Sequence, residues 1–143
     1  MNRFYTAAQV TERIPGLTVR ALIDMTEKGI IHPAMESTGQ GSPRQYDDEN
    51  LLQIAVAFAL RSVLPPAALK GFMVNDFDRV REYDLLVIHI WTEKKMFQLS
   101  IDAVDFKNNS HLTYLLSPTK NPALLGYIDI ILHARQLRND LKI

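Results

Sequence analysis

The sequence contains no cysteine among its 143 residues, which excludes disulfide bonds, thiolate metal ligands and cysteine nucleophiles. It also lacks an excess of charge, because 16 lysines and arginines balance 16 aspartates and glutamates. No stretch approaches the roughly 18 consecutive apolar residues of a membrane span, and no targeting segment opens the chain. These absences favour a cytoplasmic protein without a membrane partner, and the balanced charge argues against a strongly basic nucleic-acid binder.

Motifs typical of enzymes and metal sites are also scarce. The spacing of the histidines in the second half fits no close metal-ligand motif: His89, His111 and His133. The acids nearby show no pattern of paired catalytic carboxylates: Glu93, Asp102 and Asp105. The loop at Gly39 and Gly41 lacks the lysine and the helix of a phosphate-binding loop. We therefore expect no enzyme activity, no metal and no cofactor.

The composition that remains is that of a folded protein. Hydrophobic residues form 47% of the chain, enough to bury a core in one compact domain or two very small ones. Helical spacing predicts a helix over residues 5–14, with Thr6 as N-cap and Gln9 as its capping-box partner. The Pro15-Gly16 pair ends that helix, and Thr18 caps a second one over residues 18–30.

The pattern then changes to a flexible loop and a hairpin. Residues 37–43 are rich in glycine and serine, and residues 39–46 are predicted to form a glycine-rich hairpin with Arg44 near its tip. Acids at 47–49 favour the start of a helix over residues 47–63, which is apolar on nearly all sides and therefore buried. Pro65-Pro66 ends it and opens a further helix to about residue 83.

From residue 84 the apolar pattern is typical of strands. We predict a buried strand over residues 85–91, a half-buried strand over 97–102 and a third strand over 112–116. Aromatic residues of these strands are typical of core packing, and an apolar effector pocket is the less favoured alternative: Trp91, Phe97 and Tyr114.

A last helix is predicted to begin at Asn121 and Pro122. Its apolar residues repeat every seven positions. One neighbour of this helix is expected to be the small sheet, and the repeat predicts a second one, the same helix of another subunit. The predicted dimer contacts are Tyr127, Ile130, Ala134, Leu137 and Leu141.

Two helices followed by a hairpin are the outline of a winged DNA-binding head. The N-terminal turn of a recognition helix points toward the bases of the major groove, and here it holds Thr18 and Arg20. Arginine contacts guanine or phosphate. Lys28 near the helix end is a further DNA-contacting prediction, with the helix dipole as the alternative explanation. Arg44 is expected to reach a flanking minor groove or phosphate.

The first half of the chain resembles the head of MerR-type transcriptional regulators. The resemblance depends on the spacing of seven residues: Gly16, Arg20, Leu22, Gly29, Pro33, Arg44 and Tyr46. It implies a winged helix-turn-helix head and a homodimer on a two-fold-symmetric promoter site. It also implies DNA contacts by Thr18, Arg20, Arg44 and Tyr46, although Tyr46 is better explained as a packing residue beneath the hairpin, with phosphate contact secondary.

Two departures from the family pattern are visible. The family usually has Leu-Arg-aromatic-Tyr in the recognition helix, where this chain has Leu22-Ile23-Asp24-Met25. The family commonly continues into a long coiled-coil helix, whereas the second half of this chain is predicted to be a small sheet with a short terminal helix. The resemblance therefore names no signal that the chain senses.

Together these patterns predict a mainly α fold with a small sheet, of the α+β class. The expected parts are a DNA-binding head over residues 1–64, a connecting helix over 65–83 and a dimerisation or effector domain over 84–143. The predicted function is a bacterial MerR-like regulator that binds double-stranded DNA as a homodimer. RNA polymerase at the promoter is a further expected partner, and the sequence leaves a small-molecule effector open. The alternative is a winged-helix module for protein interaction or phage-type architecture.

Overall fold

The computed structural model describes residues 3–37, 39, 43–106 and 125–143. Two compact units make up the chain. Unit 1 comprises Met1–Phe77 together with Leu137–Ile143, and unit 2 comprises Asp78–Gln136. Unit 2 is therefore an insertion between two segments of unit 1, and each unit is described separately below.

Four helices form most of unit 1: α1 (Ala7–Arg13), α2 (Val19–Glu27), α3 (Asp48–Leu60) and α4 (Pro66–Asn75). Their starts are set by local side-chain caps. Thr6 and Gln9 form the predicted capping box of α1, and the Thr18 hydroxyl accepts a hydrogen bond from the Ala21 amide at the start of α2. Asp47 and Asn50 form a second capping box that starts α3.

Helix α3 is the centre of the core of unit 1. Buried residues lie on all sides of this helix, as expected from its uniformly apolar sequence; examples are Leu51, Ile54, Val56 and Leu60. Helix α4 begins at Pro66, a residue pre-organised for the first helical position. The predicted helix over 66–83 is divided at Asp76, because an Asn-Asp pair has low helix propensity and leaves helical geometry there.

Short antiparallel pairings complete unit 1. Strand β1 (Phe4–Tyr5) pairs with β2 (Tyr46–Asp47), so the segment before α1 and the segment before α3 lie side by side. A single bridge joins Met35 to Gln45, with both backbone hydrogen bonds formed. The tip of the predicted hairpin, residues 38 and 40–42, lies outside the described residues.

Unit 2 contains a three-stranded antiparallel sheet in the order β4-β3-β5. The strands are β3 (Leu85–Glu93), β4 (Met96–Val104) and β5 (Leu125–Leu132), and β3 and β4 are joined by a turn in which Lys94 and Lys95 have positive φ. Helix α5 (Phe77–Glu82) precedes the sheet and α6 (Ala134–Leu141) follows it. Leu85, Val87 and Val104 pack together on one face, with Ile131 against them.

A buried histidine connects all three strands of this sheet. His89 on β3 is 3% exposed, and Asp129 lies directly opposite it on β5. Its Nδ1 lies 2.6 Å from Asp129 Oδ1, and its Nε2 lies 2.7 Å from Asp102 Oδ2 on β4. Each ring nitrogen therefore lies within hydrogen-bond distance of one carboxylate. These groups lie on opposite sides of the ring, and the described residues contain no cluster of three such side chains arranged to hold a metal.

The prediction of one long last helix is wrong. Residues 125–132 form strand β5, and only Ala134–Leu141 is helical. Isoleucines at 128, 130 and 131 favour a strand, and β3 offers a partner along most of its length. The predicted helix start at 121–122 and the third strand at 112–116 lie outside the described residues.

The predicted dimer seam loses its basis with that helix. Tyr127 and Ile130 lie on a strand, whereas Ala134, Leu137 and Leu141 lie on α6. Ala134 is fully buried and Leu141 is 3% exposed within the chain itself, so neither side chain is available to a second subunit.

The fold is a mixture of helices with two small antiparallel sheets, which confirms the predicted α+β class. Among the helices in the described part of the chain, none has the length and apolar character needed to cross a membrane.

Candidate nucleic-acid interface

Two glycines fix where α2 begins and ends. Gly16, in the turn before α2, has a φ of +83°, and Gly29, just after the helix, has a φ of +74°. Side chains other than glycine rarely adopt this left-handed region. The α1–α2 connection is therefore short and sharply turned. Helix α2 ends at Glu27, with Lys28 as its C-cap, because Gly29 and Ile30 bond back to its last carbonyls.

Packing orients α2 with one face inward and one face outward. Leu22 and Met25 are buried at 0% and 2% exposure, and the Thr26 hydroxyl donates to the Leu22 carbonyl. The opposite face is exposed and lines a surface hollow with five side chains: Val19, Arg20, Ile23, Asp24 and Glu27. The prediction that Thr18 and Arg20 lie at an exposed helix start therefore agrees with their positions.

Arg20 is available to a ligand. Its side chain is exposed, and within the described part of the chain its guanidinium has no ionic or hydrogen-bonding partner. Thr18 is exposed beside it, and its oxygen accepts from the Ala21 amide at 3.1 Å while its proton stays available for donation. The first turn of α2 thus presents two unsatisfied donors to solvent.

Lys28 at the end of α2 is engaged within the helix. Its Nζ lies 3.0 Å from Asp24 Oδ2, an i,i+4 pair in which both side chains are 51% exposed. Such exposed pairs contribute little to stability. Lys28 can exchange Asp24 for a phosphate at small cost, so the pair lowers but does not prevent DNA contact.

Arg44 lies on the second arm of the Met35–Gln45 bridge and is also paired. Its Nε lies 3.1 Å from Glu36 Oε2 on the opposite arm, with the Arg44 side chain 31% exposed. The pairing follows from the register, because residues flanking a bridge face each other across the two arms. Glu36 therefore competes directly with any phosphate for this guanidinium.

Tyr46 does not form part of an exposed interface, which corrects its prediction as a DNA contact. The residue is 1% exposed, and its hydroxyl lies 3.2 Å from the Thr26 hydroxyl on α2. Strand β2 turns this side chain inward, where it connects the hairpin segment to the buried face of α2. Its role is packing, the alternative that the sequence also allowed.

The structure adds three residues that sequence reasoning missed. Val19 and Ile23 are 41% and 39% exposed, although apolar residues on an amphipathic helix usually face the core. Their exposure follows from the buried triplet Leu22, Met25 and Thr26, which occupies the other side of α2.

Glu36 carried no sequence signal, because its contact with Arg44 depends on the register of the hairpin segment.

Comparison with known proteins adds no assignment. No protein-family model matches the chain, and no curated protein is significantly similar to it in sequence.

Proposed function

We propose that unit 1 is a winged helix-turn-helix head and that the protein is a MerR-like transcriptional regulator. In this proposal, α2 enters the major groove and the segment around Arg44 contacts the backbone beside it. Arg20 and Thr18 provide contacts to base edges, whereas Arg44 and Lys28 fix the register through phosphates.

One observation carries the proposal: the first turn of α2 is exposed and presents an unpaired guanidinium. Arg20 has no partner among the described residues, whereas Arg44 and Lys28 each have an acid within 3.1 Å. An exposed arginine at the tip of a helix that follows a sharp turn is the arrangement by which a recognition helix reads guanine.

The charge of the head limits its affinity. Residues 1–46 hold five lysines or arginines and four acids, and Asp24 and Glu27 lie on the exposed face of α2 itself. Phosphate contacts contribute most of the salt-dependent affinity of a DNA-binding protein. A single head with few free cations is therefore a weak binder, and two heads on a symmetric site supply the missing affinity.

The assembly and partners belong to the same proposal. We propose a homodimer on a pseudo-palindromic promoter, with RNA polymerase as the partner met there. The dimer rests on the family resemblance and on the affinity argument, since the heptad seam is excluded. A small-molecule effector is not part of the proposal.

The proposal is tested with single-residue variants in a gel-shift or anisotropy assay on duplexes selected from a random pool. Arg20→Ala and Arg44→Ala are each expected to cost about 1 to 3 kcal/mol of binding free energy. Lys142→Gln is the matched control, because it removes one exposed positive charge of unit 1 from a position that lies neither on α2 nor on the arms of the Met35–Gln45 bridge. All variants should keep the wild-type circular dichroism spectrum, since each side chain is at least partly exposed.

Glu36→Gln gives a test in the opposite direction. Removal of this acid frees Arg44 and takes away a repulsive charge, so binding should become several-fold tighter at about 0.1 M salt. In the Arg44→Ala background the gain should shrink. Equal affinity of the wild type, Arg20→Ala and Arg44→Ala would refute the head as a DNA-binding unit.

A second function is favoured by the apolar part of the same surface. Val19 and Ile23 lie exposed beside the acids of α2, and a face of this composition also suits a protein partner. The protein would then be the alternative named from the sequence, a winged-helix module for protein interaction or phage-type architecture. The wild-type protein would then retain no duplex from the random pool, which separates the two functions in one experiment.

A further inference from the structure

The exposed face of α2 carries an apolar pair that contributes nothing to the core of unit 1. Val19 and Ile23 lie four residues apart and are 41% and 39% exposed. Both line the same surface hollow as Arg20. Together with the unpaired guanidinium, the pair offers a ligand both apolar contact and hydrogen-bond donors on one helix face.

We infer that Val19 and Ile23 read thymine by contact with its C5-methyl group in the major groove. This inference rests on the proposed function, and it names the base composition of the half-site. In the major groove, thymine alone among the four bases presents a methyl group, and apolar side chains are its usual partners. Arg20 between them in sequence reaches guanine.

The spacing of the pair sets the spacing of the bases. Residues four apart on a helix are separated by about 6 Å along its axis. Successive bases of one strand are separated by about 3.4 Å along the duplex. The separation projected on the duplex axis is at most about 6 Å, so the two side chains reach methyl groups within about two base steps of each other, with the guanine contacted by Arg20 close to them.

The acids on the same face fit bases rather than phosphates. Asp24 and Glu27 line the hollow together with Val19 and Ile23. Carboxylates repel the phosphate backbone, whereas they accept hydrogen bonds from the cytosine N4 amino group. The face as a whole is therefore complementary to the floor of the groove, and Lys28, which lies beside Asp24 at the end of α2, is suited to the backbone.

The test compares duplexes that differ only in the methyl group. The probe is a single duplex selected from a random pool with the full chain, synthesised once with thymine and once with deoxyuridine at every thymine. Pairing and charge are unchanged between the two. Each lost methyl contact should weaken binding about fourfold, as expected for one buried aliphatic carbon. Replacement of one thymine at a time then locates the two positions.

Variants of the pair connect the effect to these side chains. Ile23→Ala and Val19→Ala should each weaken binding to the thymine duplex by about the same fourfold factor and reduce the difference between the two duplexes. Both positions are exposed and alanine favours helix, so the fold should be retained. Val74→Ala on α4, at 73% exposure, is the matched control and should leave both affinities unchanged.

The outcomes separate the inference from the function on which it rests. Equal affinity for the thymine and deoxyuridine duplexes overturns methyl reading while leaving DNA binding intact. A persistent difference in the Val19→Ala and Ile23→Ala variants overturns the assignment to these residues. Failure to retain any duplex overturns both the inference and the proposed function.

Discussion

Tyr5 shows how a single residue of unit 1 couples its fold to pH. Its ring is 9% exposed, its hydroxyl donates to Asp48 Oδ1 at 2.7 Å, and the Arg13 guanidinium lies 5.5 Å from the ring centroid. Burial, and then the hydrogen bond and charge of Asp48, raise the pKa of Tyr5 above its ordinary value. The folded state therefore favours the neutral phenol more than the unfolded state does.

The sign of the pH effect follows from this shift. A raised folded pKa gives a contribution to stability that is complete below the ordinary tyrosine pKa of about 10 and is lost as pH rises through the folded value. The Tyr5→Phe variant has no titrating group at position 5. We therefore expect the urea concentration at the unfolding midpoint to fall more for the wild type than for Tyr5→Phe between about pH 9 and pH 11. A parallel fall in the two proteins would contradict this role for Tyr5.

At the scale of elements, the three strands of unit 2 depend on His89. Asp129 is the more enclosed of its two carboxylate partners, with 17% side-chain exposure against 49% for Asp102. Asp129→Ala removes the carboxylate that lies 2.6 Å from the buried Nδ1 of His89 and should cost about 1 to 3 kcal/mol of unfolding free energy. Asp102→Ala should cost less, because Asp102 is half exposed and water can take the place of its carboxylate.

Amide hydrogen exchange measures the difference between the two aspartate variants directly in strand β3. The protection of β3 amides should drop further in Asp129→Ala than in Asp102→Ala, with the capped helices of unit 1 as an internal reference. A larger loss in Asp102→Ala would mean that the exposed carboxylate, not the enclosed one, holds the ring.

Elements whose signals are local were predictable from the sequence. The starts of α1 and α2 were, because a capping side chain and the amide it satisfies are three residues apart. The start of α3 was predicted from the acids at 47–49, although the capping box of Asp47 and Asn50 was not. Strand β5 was not, because its partner β3 lies about forty residues earlier and a chance seven-residue repeat imitated a helix. Asp129 and His89 meet through that same distant pairing.

The same distinction between local and distant signals applies to the candidate nucleic-acid interface. The exposed start of α2 follows from its cap and from its buried triplet, so Arg20 and Thr18 could be chosen from sequence. The orientation of Tyr46 and the pairing of Arg44 with Glu36 depend on the register of the hairpin segment, which the sequence does not specify. The Asp24–Lys28 pair was not predicted, although residues four apart on a helix are neighbours.

At the scale of the whole molecule, unit 1 is built from two distant segments of chain. Leu141 is 3% exposed, and its carbonyl accepts a hydrogen bond from Arg13 Nη2 at 2.6 Å. Leu141→Ala should therefore cost about 2 to 5 kcal/mol, with reduced protection of helices in unit 1. Asn139→Ala, an exposed position on the same helix, is the control and should change stability by less than about 0.5 kcal/mol.

This discontinuity affects synthesis in the cell. Domains usually fold in order as the ribosome releases them, at about 5 to 20 residues per second. Here the segment that supplies Leu141 emerges only after all of unit 2 has been translated. A nascent chain stalled within unit 2, or a product clipped before residue 137, would carry every side chain proposed to contact DNA on an incompletely supported scaffold. Proteolytic clearance of such fragments should therefore be rapid.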